Sequence, residues 1–278
     1  MLGSLLTRNL KLLSIHSLNS ARTMNKSMYC LDFLKVGSGK HVLVLLPGAL
    51  GTYETDFTPQ LEILNKNKFT VIAVNQRGYG NNRTENRSYP ADFYHKDAED
   101  VVLLMKQLDI PKYSLLGWSD GGNVAAIIAA KYPDSILKLI MWGSNSFVTP
   151  EEYKSYLAVR DISLWSTRMK QPMIKAHGEE YFEKTWHAWV DSFQSMEKNK
   201  ESVIDLYMEE LGKITAETLI IHGMKDRLVP YFQTEYLHNN IANSKCVTWE
   251  DGSHNLHLRF PDRFVALVEN FLMSDGKL

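Results

Sequence analysis

The sequence predicts an α/β protein: a mostly parallel central sheet flanked by helices, with a helical lid inserted above it. Three observations carry that expectation. Short, nearly unbroken aliphatic runs recur along the chain with helix-period stretches between them, which implies crossover connections and parallel neighbours. One such run, Tyr113-Ser114-Leu115-Leu116, passes through Gly117-Trp118-Ser119-Asp120-Gly121-Gly122 straight into an alanine-rich helical pattern, Asn123 to Lys131. Between Ser144 and about Gly212 the strand pattern stops, and Trp, Tyr, Met and charge take over.

Taken in order, Tyr29 to Val36 alternates and turns at Gly37-Ser38-Gly39, as a first hairpin would. His41 to Leu46 is aliphatic enough to be buried on both faces and ends at Pro47-Gly48. Phe69 to Val74 is a second such strand, followed by the loop Asn75-Gln76-Arg77-Gly78-Tyr79-Gly80. Helical spacing over Ala91 to Leu108 leads into the strand that begins at Tyr113. Ile136 to Trp142, Thr218 to His222 and Lys245 to Trp249 complete the strands, and Pro261 to Met273 reads as a closing helix with Pro261 in its first turn. The core is therefore expected over 28–143 and 213–278, with the lid over 144–212. For most of the lid aromatics (Tyr156, Trp165, Tyr181, Phe182, Trp186, Trp189, Phe193), packing within the lid is the expected role.

Composition excludes several functions. A chain of 278 residues with a formal net charge of -1 and no basic stripe offers no electrostatic case for nucleic acid or an acidic membrane. Two cysteines, Cys30 and Cys246, make no disulfide framework and have no zinc-ligand spacing. No run approaches the roughly 18 apolar residues that span a bilayer. The N-terminus is different in kind. It holds no Asp or Glu before Asp32, carries Arg8, Lys11, Arg22 and Lys26, and interleaves leucine with serine and threonine. That is the composition of a mitochondrial transit segment, expected over residues 1–27, with a disordered tail as the alternative.

In the strand–turn–helix setting, G-x-S-x-G is a nucleophile elbow. The glycines around Ser119 permit the tight turn, and the hydroxyl is lifted off the sheet. A serine hydroxyl needs a base, held in turn by a carboxylate. In this kind of fold the chain order is Ser, then Asp or Glu, then His. Asp226 follows the Thr218–His222 strand, and His254 follows the Lys245–Trp249 strand. Asp251 is a rival acid but lies too near His254 in sequence to reach its far ring nitrogen, and His257 and His222 are weaker candidates for the base. An oxyanion needs two N–H donors, each worth roughly 3 kcal/mol of barrier. The backbone of Asp120 is one; Ala49, in the loop Pro47-Gly48-Ala49-Leu50-Gly51, is preferred over Leu50 for the other. Leu50 and Trp118 beside these donors are expected to contact substrate. The Asp120 carboxylate would attract a cation and repel an acid, unless it is simply a helix N-terminal charge. No metal spacing and no nucleotide motif occurs in the chain, and such a triad needs no cofactor.

These residues resemble the α/β-hydrolase superfamily, and within it the valacyclovir hydrolase (biphenyl hydrolase-like) family. The segments carrying the resemblance are Leu46 to Gly51, Glu54-Thr55-Asp56-Phe57, Arg77-Gly78-Tyr79-Gly80, Leu116 to Gly122, His222-Gly223, Asp226 and His254 to Phe260. The resemblance implies a serine hydrolase of α-amino-acid esters, with Ser119, Asp226 and His254 as the triad and Asp120 binding the substrate α-amino group. It also implies a mitochondrial location. Asn75-Gln76 departs from the Asp-Pro of many relatives at that place. The expected partner is a small-molecule ester with a free α-amino group, met by a monomer. Carbon–carbon hydrolysis of ring-cleavage products and a non-catalytic ligand-binding role on the same scaffold are the alternatives.

Overall fold

The computed structural model describes residues 31–83, 87–196 and 203–274. The transit segment expected over 1–27 lies outside them. Nine strands occur among the described residues: β1 (Phe33–Val36), β2 (His41–Leu46), β3 (Phe69–Val74), β4 (Tyr113–Trp118), β5 (Ile136–Trp142), β6 (Phe147–Val148), β7 (Ile204–Asp205), β8 (Glu217–Gly223) and β9 (Ser244–Trp249). Seven form one sheet in the order β1-β3-β2-β4-β5-β8-β9. Every pairing in it is parallel except β1 with β3.

That exception corrects the expected hairpin. β1 pairs with β3, Phe33 opposite Val74, and β2 slides in between β3 and β4. Gly37-Ser38-Gly39 is a crossing and not a hairpin turn. Ser38 N–H donates to Lys66 O at 2.9 Å, and the Thr70 hydroxyl donates to Gly39 O at 2.7 Å. A Cβ on Gly39 would lie 1.9 Å from the Lys68 carbonyl carbon, so only glycine lets the chain pass there. The physical reason is burial: β3 is buried at every position, and a short antiparallel strand covers its otherwise open edge.

The aliphatic runs serve two cores at once. Val44, Leu46, Ile72, Val74 and Leu115 face the helices α3 (Phe93–Gln107) and α4 (Asp120–Lys131). Leu43, Leu45, Val71, Ala73 and Leu116 face the opposite side, against α10 (Pro261–Met273). Strand alternation places successive residues on opposite faces, so a strand covered on both sides reads as unbroken aliphatic. Each Val, Leu or Ile side chain among them taken fully out of water contributes about 1.5–3 kcal/mol.

The remaining helices in the core are α1 (Tyr53–Asp56), α2 (Thr58–Ile63), α8 (Tyr231–Asn240) and α9 (Leu256–Arg259). Between β5 and β8 the chain leaves the sheet for the helices α5 (Pro150–Ala158), α6 (Thr167–His177) and α7 (Glu179–Met196). The β6–β7 pair, Phe147 opposite Asp205, ties the two ends of this excursion together. α5 starts on a capping box between Thr149 and Glu152, with Pro150 in its first turn. Trp186 stacks on Trp189 at 5.0 Å between ring centroids, and Trp165, Phe182, Tyr156 and Phe193 pack around them. Among the described residues no helix is long and apolar enough to cross a membrane.

Candidate active site

Ser119 sits between β4 and α4 with φ 54 and ψ -123, a conformation that costs a non-glycine residue energy and marks a strained turn. The glycines around it are sterically required. A Cβ on Gly117 would lie 2.4 Å from Gly121 O, and one on Gly121 would lie 2.1 Å from Leu46 O. Ser119 N–H donates to Trp142 O at 2.9 Å, which fastens the elbow to the end of β5.

The residue just after β5, Gly143, has φ +59, and a Cβ there would lie 2.9 Å from His254 Cε1. The imidazole thus lies over the strand end that holds the elbow. His254 Nδ1 donates to Asp226 Oδ2 at 2.8 Å, which leaves Nε2 as the nitrogen free to serve as base. Asp226 is itself held by Leu228 N–H at 2.9 Å and Val229 N–H at 3.0 Å, both on Oδ1. Burial alone would raise this carboxyl, but His254 and these donors keep it below its ordinary value. Asp251 turns away and pairs with Arg263 at 2.9 Å. His222 is buried with Nδ1 on the Thr234 hydroxyl at 3.0 Å. His257 is fully buried, accepting from Trp142 Nε1 at 3.0 Å on Nδ1 and donating from Nε2 to Asp56 O at 3.0 Å. Burial drives its pKa down to about 3, so it is a neutral imidazole bridging Trp142 and Asp56.

The loop after β2 approaches the elbow closely: a Cβ on Gly48 would lie 3.4 Å from Ser119 Cβ. Gly48 N–H is taken by Asp56 Oδ2 and Gly51 N–H by Gly48 O, each at 3.0 Å. Among the described residues, Ala49 and Leu50 N–H have no protein acceptor and remain for a ligand. Leu50 is buried at φ 56, and its carbonyl accepts from His177 Nε2 at 2.6 Å, a contact from α6 that sequence spacing does not reveal. The Trp118 indole turns to the histidine loop: Nε1 donates to His254 O at 2.9 Å, and the ring lies 4.5 Å from that of His257.

Asp120 is half-buried, and its carboxylate is neither solvated nor idle. Tyr94 Oη on α3 donates to Oδ1 at 2.7 Å, and Trp189 Nε1 on α7 donates to Oδ2 at 2.8 Å. Burial pushes its pKa up to about 6 against the pull of these two bonds. Both donors are neutral, and a carboxylate oxygen accepts more than one hydrogen bond, so the pair leaves the negative charge unmatched and capacity for a ligand donor. Behind it, Arg87 clasps Asp97 through two bonds of 2.8 and 2.5 Å, with Tyr79, Tyr89 and Phe93 around the guanidinium. The described residues hold no cluster of metal-ligating side chains.

The chain is similar to known hydrolases in sequence and in fold. The family model for the alpha/beta hydrolase fold matches residues 41–161. Human serine hydrolase BPHL is 46% identical over 242 residues, covering 87% of this chain and 82% of its own. The chain belongs to the α/β-hydrolase family, in its biphenyl hydrolase-like branch. A more distant relative is the Escherichia coli 2-hydroxy-6-oxononadienedioate/2-hydroxy-6-oxononatrienedioate hydrolase, 27% identical over 87% of this chain and 90% of its own. Among solved structures, an α/β hydrolase from a deep-sea metagenome superposes with a TM-score of 0.72 at 19% identity, over 89% of this chain and 95% of that one.

Proposed function

We propose that this hydrolase cleaves α-amino-acid esters through an acyl-enzyme intermediate. The observation that carries the reading is the Asp120 carboxylate, one residue beyond Ser119 and held between the core tyrosine Tyr94 and the lid tryptophan Trp189. An ammonium group seated on Asp120 would put the α-carbon and its carbonyl within reach of the serine. His254 Nε2 takes the Ser119 proton as Oγ attacks that carbonyl, and Asp226 stabilises the imidazolium that forms. The oxyanion is received by the N–H groups of Asp120 and Ala49. Collapse expels the alcohol, which leaves with the proton from His254. Water, deprotonated by the same nitrogen, then releases the amino acid and restores Ser119.

Carbon–carbon hydrolysis is the second reading, favoured by the Escherichia coli relative. Its dioate substrates are anionic, and an unmatched carboxylate beside the nucleophile opposes them. One kinetic panel separates the two. Ser119→Ala abolishes turnover of every ester, and Asp120→Asn raises KM for α-amino esters about tenfold, equivalent to about 1.4 kcal/mol of binding, while sparing N-acylated ones. Equal effects on both ester classes, or faster turnover of a ring-cleavage dioate than of any ester, would overturn the proposal.

A further inference from the structure

The segment Glu54-Thr55-Asp56-Phe57 has no part in the scheme above, yet it contains a buried acid, Asp56, only 2% exposed. Its carboxylate is wrapped by the loop after β2. Oδ2 accepts Gly48 N–H at 3.0 Å, Oδ1 accepts the Thr55 hydroxyl at 2.7 Å, and a Cβ on Gly51 would lie 1.9 Å from Oδ2. Gly51 N–H closes the turn on Gly48 O at 3.0 Å, so the four residues Gly48 to Gly51 curl around one side chain. The backbone of Asp56 is anchored as firmly: its carbonyl accepts from His257 Nε2 at 3.0 Å, and Gln60 Nε2 donates back to His257 O at 2.7 Å. His257 lies three residues beyond His254, and Trp118 packs between the two histidines and Gly48.

From this geometry we infer that Asp56 is a positioning residue for the oxyanion site: by holding Gly48 N–H it sets the direction of the Ala49 and Leu50 N–H groups relative to Ser119, in register with the segment that carries His254. The inference rests on Ser119 being the nucleophile. The carboxylate touches no reacting atom; it acts through the backbone it clamps. The alternative, a purely structural acid, would explain the burial but not why the loop facing Ser119 is folded about that oxygen. An uncharged amide can do the same work. Its oxygen would accept Gly48 N–H, and its NH2 would donate to Thr55 Oγ1, whose own proton has Thr52 O at 3.1 Å as an acceptor.

The test compares Asp56→Ala, Asp56→Asn and Gly51→Ala in the full chain, with active sites counted by an organophosphonate that labels Ser119. Per labelled site, Asp56→Ala is expected to lower kcat for an ester about 10–100-fold, up to the loss of one oxyanion donor, with KM within about twofold. Asp56→Asn restores kcat to within about threefold of wild type. Gly51→Ala keeps Asp56 but pushes its carboxylate aside, and lowers kcat in the same way. A merely structural role would reduce the labelled fraction and the melting temperature while leaving kcat per site intact, and that result overturns the inference. So does an Asn variant no better than Ala. If wild-type protein is not labelled at Ser119, the serine-hydrolase reading itself falls; labelled wild type with unimpaired Asp56→Ala and Gly51→Ala sinks only the role of Asp56.

Discussion

Asp226 and Asp120 are both withdrawn from water, yet their carboxyls move in opposite directions. Asp226 has a histidine at 2.8 Å to match its charge, so its pKa is lowered despite burial. Asp120 has only neutral donors in contact, and desolvation wins, raising it to about 6. The sign of the consequence follows. A carboxyl whose pKa is raised takes up its proton earlier as pH falls, so attraction for an ammonium is present above about pH 6 and lost below it. The ratio of kcat/KM for an α-amino ester to that for its N-acylated counterpart cancels whatever the triad does with pH. That ratio should fall by up to about tenfold per pH unit below the transition; a flat ratio between pH 5 and 8 would count against the role of Asp120. The oddity of an acid after the serine is legible in the sequence. Its partners are not, because Tyr94 and Trp189 lie 26 and 69 residues away and no spacing rule links them.

At the scale of elements, the elbow was the most legible feature because its constraint is local. A strand must reverse into a helix within a few residues, and the neighbouring backbone leaves no space for side chains at Gly117 and Gly121. Gly121→Ala would drive a methyl into Leu46 O and Pro47 O, which are backbone atoms of the adjacent strand end and cannot rotate away. We expect a loss of about 2–4 kcal/mol in denaturant unfolding, together with loss of ester turnover. Gly212→Ala is the control, since nothing lies within 4 Å of its added carbon, and it should be neutral in both measurements. The first strand shows the opposite case. Alternation over Phe33–Val36 is visible, but the choice between β2 and β3 as its partner depends on which strand edge is left open, a property of the assembled sheet.

At the scale of the molecule, the excursion between β5 and β8 is joined to the core through polar contacts as well as aromatic packing. Gln233 on α8 donates to both Glu152 oxygens at 3.0 and 2.9 Å and to Phe147 O at 3.0 Å. Glu152 is buried, so removing its donor leaves a desolvated acid with fewer bonds. Gln233→Leu should lower stability by about 1–3 kcal/mol and the melting temperature by roughly 2–4 °C for each of them, read by calorimetry; an unchanged transition would show that the excursion does not depend on this joint. His177 on α6 and Trp189 on α7 meet Leu50 and Asp120, so the same docking that stabilises the excursion also completes the surroundings of the serine.

The sequence by itself determined the α/β class, the strand-end positions of Ser119, Asp226 and His254, and the choice of Asp226 over Asp251. Each follows from a rule readable along the chain: aliphatic runs for doubly covered strands, glycines for a tight turn, Ser-Asp-His order for the three polar residues, and the closeness of Asp251 to His254 against that rival. Tertiary structure alone decided what surrounds them. The two bonds that hold Asp120, the clamp of Asp56 on Gly48, the His177 contact with Leu50 and the bare Gly143 beneath His254 all join segments distant in the chain. Burial and hydrogen bonding across such distances depend on how layers stack, and a one-dimensional pattern does not carry that.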